Sequence, residues 1–174
     1  MAVGMGWMGL KKINSTYIDV SIKKQNLSFF EKGILMKRFS ISTAKRGVGQ
    51  QKNSFKTPLG KHIVRAKIGD TLPIFTVFSA RRPTNEICTD ESHLSEPQKD
   101  WILSRIIWLS GCEVGINRLG DVDTMQRYIY IHGTPYETDL GHPVSEGCIR
   151  MGNRDVIELF NLVSLGTSVF INEN

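Results

Sequence analysis

A mostly β domain with one clear helix is the fold this sequence predicts, and three observations carry the prediction. Short stretches of apolar–polar alternation recur from Thr16 onward, turns bearing glycine or proline punctuate them, and one helical apolar stripe stands out in residues 153–166. The 174 residues, 40% hydrophobic and 22% charged, suit a single folded unit that buries a core without disulfides. Residues 1–14 read as an N-terminal extension and 15–174 as the domain, with 79–127 as an insertion or cap within it.

The elements follow in chain order. "TYIDVSI" (16–22) alternates, with Ile18, Val20 and Ile22 on one side and Tyr17, Asp19 and Ser21 on the other. "NLSFFEKGILMKRFSIST" (26–43) reads as two strands joined by a turn at Glu31-Lys32-Gly33. Residues 44–60 are polar and glycine-rich, a loop closed by Thr57-Pro58-Leu59-Gly60. "HIVRAKIG" (62–69) alternates again, and 79–101 reads as an irregular surface excursion. Ser95 and Gln98 form a capping-box pattern for a short helix. The apolar run Ile102–Leu109 either continues that helix or is a buried strand, since periodicity cannot separate the two over so short a run. "RYIYIHGT" (127–134) is a strand ending at His132-Gly133. In "NRDVIELFNLVSLG" (153–166), Val156, Leu159, Phe160 and Val163 form the helical stripe, Asn153 is the N-cap candidate and Gly166 suits the stop. "TSVFI" closes the fold as a strand.

The net charge of +5 permits an anionic partner, but the cations come as singles and pairs without the signature of a nucleic-acid-binding module. Three cysteines at wide spacings, Cys88, Cys112 and Cys148, form neither a disulfide framework nor a CxxC zinc pattern, and free thiols suit a reducing compartment. The N-terminal stretch makes a poor signal peptide and no segment reaches the ~20 apolar residues of a membrane span. A cytoplasmic location is the expectation, or a periplasmic one should the N-terminus be incomplete.

The unusual chemistry concentrates in "HPVSEGCIRMGN" (142–153). Cys88 and Cys112 suit a core, as most lone cysteines do. Cys148 sits instead among Ser145, Glu146, Gly147 and Arg150, a polar setting unlike a strand interior. A nucleophilic thiol needs a base or a positive field. His132 ends a strand 16 residues upstream, Arg150 adds a fixed charge, and Gly147 permits close backbone approach to an oxyanion. His132, His142 and Cys148 could also serve as zinc ligands, although their spacing matches no defined zinc pattern. His62 and His93 have no evident partner in the sequence.

"IHGT", about a dozen residues, then "SEGCIRMGNRDVIELFNLVSLGTSVFI" resembles the L,D-transpeptidase catalytic domain, also called the YkuD-like domain. That family's signature joins a histidine-glycine pair, Ser-x-Gly-Cys-Ile/Val-Arg, a helix of the N-x-D-x-x-x-L type and a final strand opening "GT-V-I". "TPLG" at 57–60 matches a further family segment. The resemblance covers most of 16–172 and is strongest over 128–172. It implies a small β-sandwich or mixed sheet with the helix after the cysteine, and so favours Ile102–Leu109 as a strand beside 127–132.

Residue by residue, the resemblance makes Cys148 the nucleophile, His132 the general base and Gly133 the source of the carbonyl that orients the ring. Ser145, Gly147 and Arg150 fall on the remaining signature positions and, with Glu146 and Tyr130, form the implied substrate-binding and oxyanion set. Glu146 stands where many members carry a second histidine, and an ionised carboxylate close to the thiol would oppose thiolate formation. Asn117 and Arg118 are candidates for substrate contact from the cap. The implied reaction is attack on the L-D bond of a peptidoglycan tetrapeptide stem, release of D-alanine and a thioester acyl-enzyme, with no cofactor and no metal. An amine acceptor would make it an L,D-transpeptidase and water an L,D-carboxypeptidase of peptidoglycan recycling. A non-catalytic murein-peptide binder is the remaining alternative. Muropeptides are the implied partners, and β-lactams such as carbapenems the implied covalent inhibitors.

Overall fold

A computed structural model of the chain describes residues 15–174; the N-terminal extension and its reading as a poor export signal lie outside the described residues. The strands are β1 (Tyr17–Ser21), β2 (Asn26–Glu31), β3 (Ile34–Ser42), β4 (Gly60–Ile68), β5 (Thr76–Ser79), β6 (Arg82–Ile87), β7 (Ile102–Gly111), β8 (Tyr130–Gly133), β9 (Ile149–Met151) and β10 (Ser168–Asn172). The helices are α1 (Asp90–Ser95) and α2 (Asn153–Leu162). All ten described strands join one mixed sheet in the order β4-β10-β1-β2-β3-β9-β8-β7-β5-β6, and β4 pairs again with β7, so the sheet curls until it meets itself. β1–β10 and β8–β9 are parallel; the other pairs are antiparallel.

The predicted alternation lines a common core. Ile18 and Val20, Leu27 and Phe29, Phe39 and Ile41, Val64, Ile107 and Leu109, Ile131, Ile149 and Met151, and Val169 and Ile171 all point inward. Val156, Leu159, Phe160 and Val163 of the helical stripe complete the same cluster, with α2 packed on β7 and β8. The turn at Glu31-Lys32-Gly33 is present, Lys32 and Gly33 both at positive φ. Ile102–Leu109 is strand, paired to β8 with Ile106 opposite His132 and Trp108 opposite Tyr130.

Five expectations change. Residues 79–101 hold the β5–β6 hairpin and α1, and the hairpin turns through Ala80 and Arg81 at φ 47° and 66° without a glycine to announce it. The capping box belongs to Thr89 and Ser92, which start α1; Ser95 is that helix's last residue. Asn153 is the first residue of α2, with Gly152 at the N-cap, because its side chain is committed elsewhere. α2 ends at an extended Val163, and Gly166, at φ 85°, belongs to the turn that follows. β8 is also shorter than expected, since Tyr128 at φ 57° breaks the extended backbone before it. No helix among the described residues is long and apolar enough to cross a membrane.

Candidate active site

The site is built on the parallel pair β8–β9, where Ile131 faces Ile149 and His132 faces Arg150. Ile131 and Ile149 enter the core, so pleating turns Tyr130, His132, Cys148 and Arg150 to the opposite face. Tyr130 and Cys148 accordingly belong to a second apolar cluster with Phe78, Ile106 and Trp108.

Backbone groups hold the thiol. The Tyr130 amide donates to Cys148 Sγ at 3.3 Å, and the thiol donates to the Tyr128 carbonyl at 3.3 Å, a carbonyl the left-handed Tyr128 brings to the sulfur. The residue as a whole is only partly covered, yet burial pushes its thiol up to about 12 and Asp100 adds to the rise; the Tyr130 amide, Arg150 and Arg127 oppose it.

His132 is fully buried. Its Nδ1 lies 2.7 Å from the Gly133 carbonyl, which can only accept, so Nδ1 carries the proton and Nε2 presents a lone pair. Nε2 has no hydrogen-bond partner among the described residues. Burial lowers the imidazole's pKa, against the raising effects of Asp100 and the Gly133 hydrogen bond. Burial therefore favours the neutral form of both thiol and imidazole.

Gly133 is required by close approach. A Cβ there would run into Asn153 Oδ1 and lie 2.8 Å from the Leu103 carbonyl. Asn153 is itself fixed: Oδ1 accepts from Ser104 Oγ at 2.7 Å, and Nδ2 donates to the Thr134 carbonyl at 2.7 Å and to Glu137 Oε1 at 2.8 Å. Glu137 Oε1 also accepts the Asn153 amide at 2.8 Å, supplying the N-terminal carboxylate that α2 favours.

The cysteine loop is tied from behind. Ser145 Oγ donates to the Cys148 carbonyl at 2.6 Å and accepts the Gly147 amide at 3.2 Å, so that amide is occupied. Gly147 adopts φ 127°, and its carbonyl accepts from Thr57 Oγ1 at 3.0 Å while Thr57 accepts the Ala44 amide at 3.0 Å. Arg127 donates to the carbonyls of Gly49 and Lys56 and to Ser54 Oγ, pinning the loop on which Gly147 rests.

Several predicted residues sit elsewhere. Glu146 is exposed, and the acid that bears on both Cys148 and His132 is Asp100, whose Oδ1 lies 3.5 Å from Arg150 Nη2. Asn117 is fully buried, donating to the Leu59 and Lys61 carbonyls, and is a brace for 111–127 instead of a substrate contact. Arg118 is exposed, its carbonyl accepting from Gly115 in the same turn. His142 is exposed, and no three potential metal-ligating side chains converge among the described residues. His62 is buried, bonded to the Gly60 carbonyl and Thr124 Oγ1; His93 stacks edge-on to Tyr136. Cys88 is buried as expected, but Cys112 is only half-buried.

Two arginines and an acid escaped the sequence reading. Asp100 precedes β7, Arg127 precedes β8, and Arg81 comes from the β5–β6 turn to lie over Trp108 and Tyr128 and donate to Tyr130 Oη at 3.2 Å. A cavity of about 290 Å³ lined by residues including Cys88, His93, Glu137 and Asn153 includes neither Cys148 nor His132.

The L,D-transpeptidase catalytic domain family model matches residues 15–171. The chain belongs to that family. The YkuD protein of Bacillus subtilis is 57% identical over 42 residues, 24% of this chain and 26% of that protein. The YqjB protein of the same organism is 48% identical over 44 residues, 25% of each. The chain therefore matches only about a quarter of the length of these relatives. Among solved structures, L,D-transpeptidase 3 from Mycobacterium tuberculosis, in complex with a faropenem-derived adduct, superposes at TM-score 0.58 with 16% identity, over 91% of this chain and 60% of that one. An L,D-transpeptidase from Mycobacterium smegmatis gives TM-score 0.54 and 18% identity over 91% and 58%. The fold is that of the family's catalytic domain, and this chain spans about three fifths of those structures' length.

Proposed function

We propose that this chain is an L,D-transpeptidase-type cysteine acyltransferase acting on peptidoglycan tetrapeptide stems. The observation that carries the reading is the pairing of a backbone-held thiol, Cys148, with a buried imidazole two residues along the adjoining strand whose Nδ1 is fixed by Gly133 and whose Nε2 is left to accept a proton. Cys148 Sγ attacks the carbonyl on the L-centre of the third stem residue while His132 Nε2 takes the thiol proton. The tetrahedral intermediate collapses with cleavage of the C–N bond, and the imidazolium returns the proton to the departing D-alanine amine. A thioester remains. Because burial favours the neutral form of both groups, proton transfer accompanies attack and no standing ion pair is needed.

The test is incubation with disaccharide-tetrapeptide, with and without an added amine acceptor, read by mass spectrometry. Cross-linked dimer assigns an amine as acceptor, and tripeptide alone assigns water and an L,D-carboxypeptidase. A carbapenem adduct on Cys148 that vanishes in Cys148→Ser is the accompanying expectation. Intact substrate together with an unmodified cysteine would overturn the reading.

A further inference from the structure

Arg150 is under-satisfied for a guanidinium so well covered. Its side chain is 14% exposed; among the described residues its one ion pair is a loose 3.5 Å contact with a half-exposed Asp100, and its buried Nε has no acceptor. Five donors on a planar fork facing a single distant oxygen are a receptor for a second carboxylate.

Position says which carboxylate. Arg150 is the register partner of His132 on a parallel strand about 4.8 Å away, and the two side chains share a face. Under the reaction proposed above, the departing amine lies at His132 Nε2 when it is protonated. In the leaving amino acid the amine and the carboxylate carbon are both bonded to Cα, hence only ~2.5 Å apart. A terminal carboxylate one residue beyond the scissile bond falls beside the guanidinium. A longer stem would bring an amide there, which offers no charge and needs room for further chain.

We propose that Arg150 binds the free α-carboxylate of the single residue that leaves, that Asp100 occupies this place until substrate displaces it, and that the pair restricts the enzyme to stems ending one residue after the scissile bond. Arg150 is thus the specificity determinant and Asp100 the internal competitor. Arg81 is already engaged, donating to Tyr130 Oη at 3.2 Å and lying over the rings of Trp108 and Tyr128.

The inference rests on the acyl-transfer reading, and the experiment separates the two. The probe is the tetrapeptide stem as free acid and as its C-terminal amide, with kcat/KM for loss of the last residue measured by mass spectrometry. Wild type should favour the acid by roughly 10- to 100-fold, the range of a charge-assisted hydrogen bond. Arg150→Gln should bring that ratio near one by losing rate on the acid. Asp100→Asn, a change at an exposed carboxylate, should raise the ratio several-fold through a lower KM for the acid. A wild-type ratio near one would overturn the assignment while leaving the acyl-transfer reading intact, as would equal losses on both substrates in Arg150→Gln or an unchanged ratio in Asp100→Asn. Failure of the wild type to process either stem would overturn both.

Discussion

Raising the pH on the native enzyme should reveal a resting thiol and no resting thiolate. With Cys148 near 12 against an ordinary 9.0, its ionised fraction at neutral pH is down about a thousandfold. A more basic thiolate is intrinsically more nucleophilic, with a Brønsted slope of ~0.4–0.5, and recovers roughly 20-fold. Alkylation of Cys148 by iodoacetamide at pH 7.5 should therefore run roughly 50-fold slower in the folded protein than in the urea-unfolded chain. The assay is peptide-resolved mass spectrometry of carboxamidomethylation from pH 6 to 11. The native rate should keep climbing about tenfold per pH unit through pH 10, as expected below the pKa of the reacting group. A plateau with a midpoint below pH 8 would show a standing thiolate–imidazolium pair and refute the reasoning. Because the thiol needs a base, His132→Gln should slow carbapenem acylation by about 10²- to 10⁴-fold. Burial lowers the His132 pKa, so loss of wild-type acylation on acidification should have its midpoint below 6.5.

Gly133→Ala forces a Cβ against Asn153 Oδ1 and the Leu103 carbonyl, costing about 1–3 kcal/mol by thermal denaturation and slowing acylation further by shifting the carbonyl that fixes His132. Asn153→Ala strands Ser104, the Thr134 carbonyl and Glu137; about 3 kcal/mol, or roughly 6–12 °C in Tm, is expected by calorimetry. Thr57→Val leaves the Ala44 amide and Gly147 carbonyl unpaired, with an expected loss of about 2–4 kcal/mol in urea and slower acylation of Cys148. Buried His62 has its pKa lowered from 6.5 to about 4, so the unfolded chain binds its proton first. Stability should be full above pH 6.5 and fall by up to about 3 kcal/mol on acidification to pH 4, a slope that His62→Gln should reduce in urea titrations.

What could be read from the sequence were features with a local period or a local motif. The stripe Val156, Leu159, Phe160, Val163 and the alternation of Ile18 and Val20 in β1 announced their faces by period, while β8, buried on both faces, showed as an aromatic and β-branched run. The β5–β6 hairpin did not: β6 is largely exposed, so it lacks alternation, and its turn is made by Ala80 and Arg81. Asn153 misled because an asparagine at a helix start ordinarily caps it, whereas here Gly133 lets the side chain approach the strand and Glu137 serves the helix end. Asp100, Arg81 and Arg127 carry no motif. Their placement near Cys148 or Tyr130 comes from strand pairing, which single-residue patterns do not encode.

The motif itself has a mechanical origin. In "YIHG" and "CIRM", Ile131 and Ile149 are register partners in the core, and the residues on either side of each must face the other way. An alternating segment beside another in parallel register places a thiol at one level and a base with its cation at the next. Parallel neighbours need a long connection, and residues 134–148 supply it with no helix beyond the single 3-10 turn Glu137–Asp139. Its ends are instead held by Ser42 Oγ on the Asp139 carbonyl, the Ser145 amide on the Thr43 carbonyl and the Lys45 amide on the Ser145 carbonyl. The reactive geometry thus follows from hydrogen-bonded backbone on both sides of the sulfur, which is why serine, glycine and threonine around Cys148 carry as much of the site as the ionisable groups do.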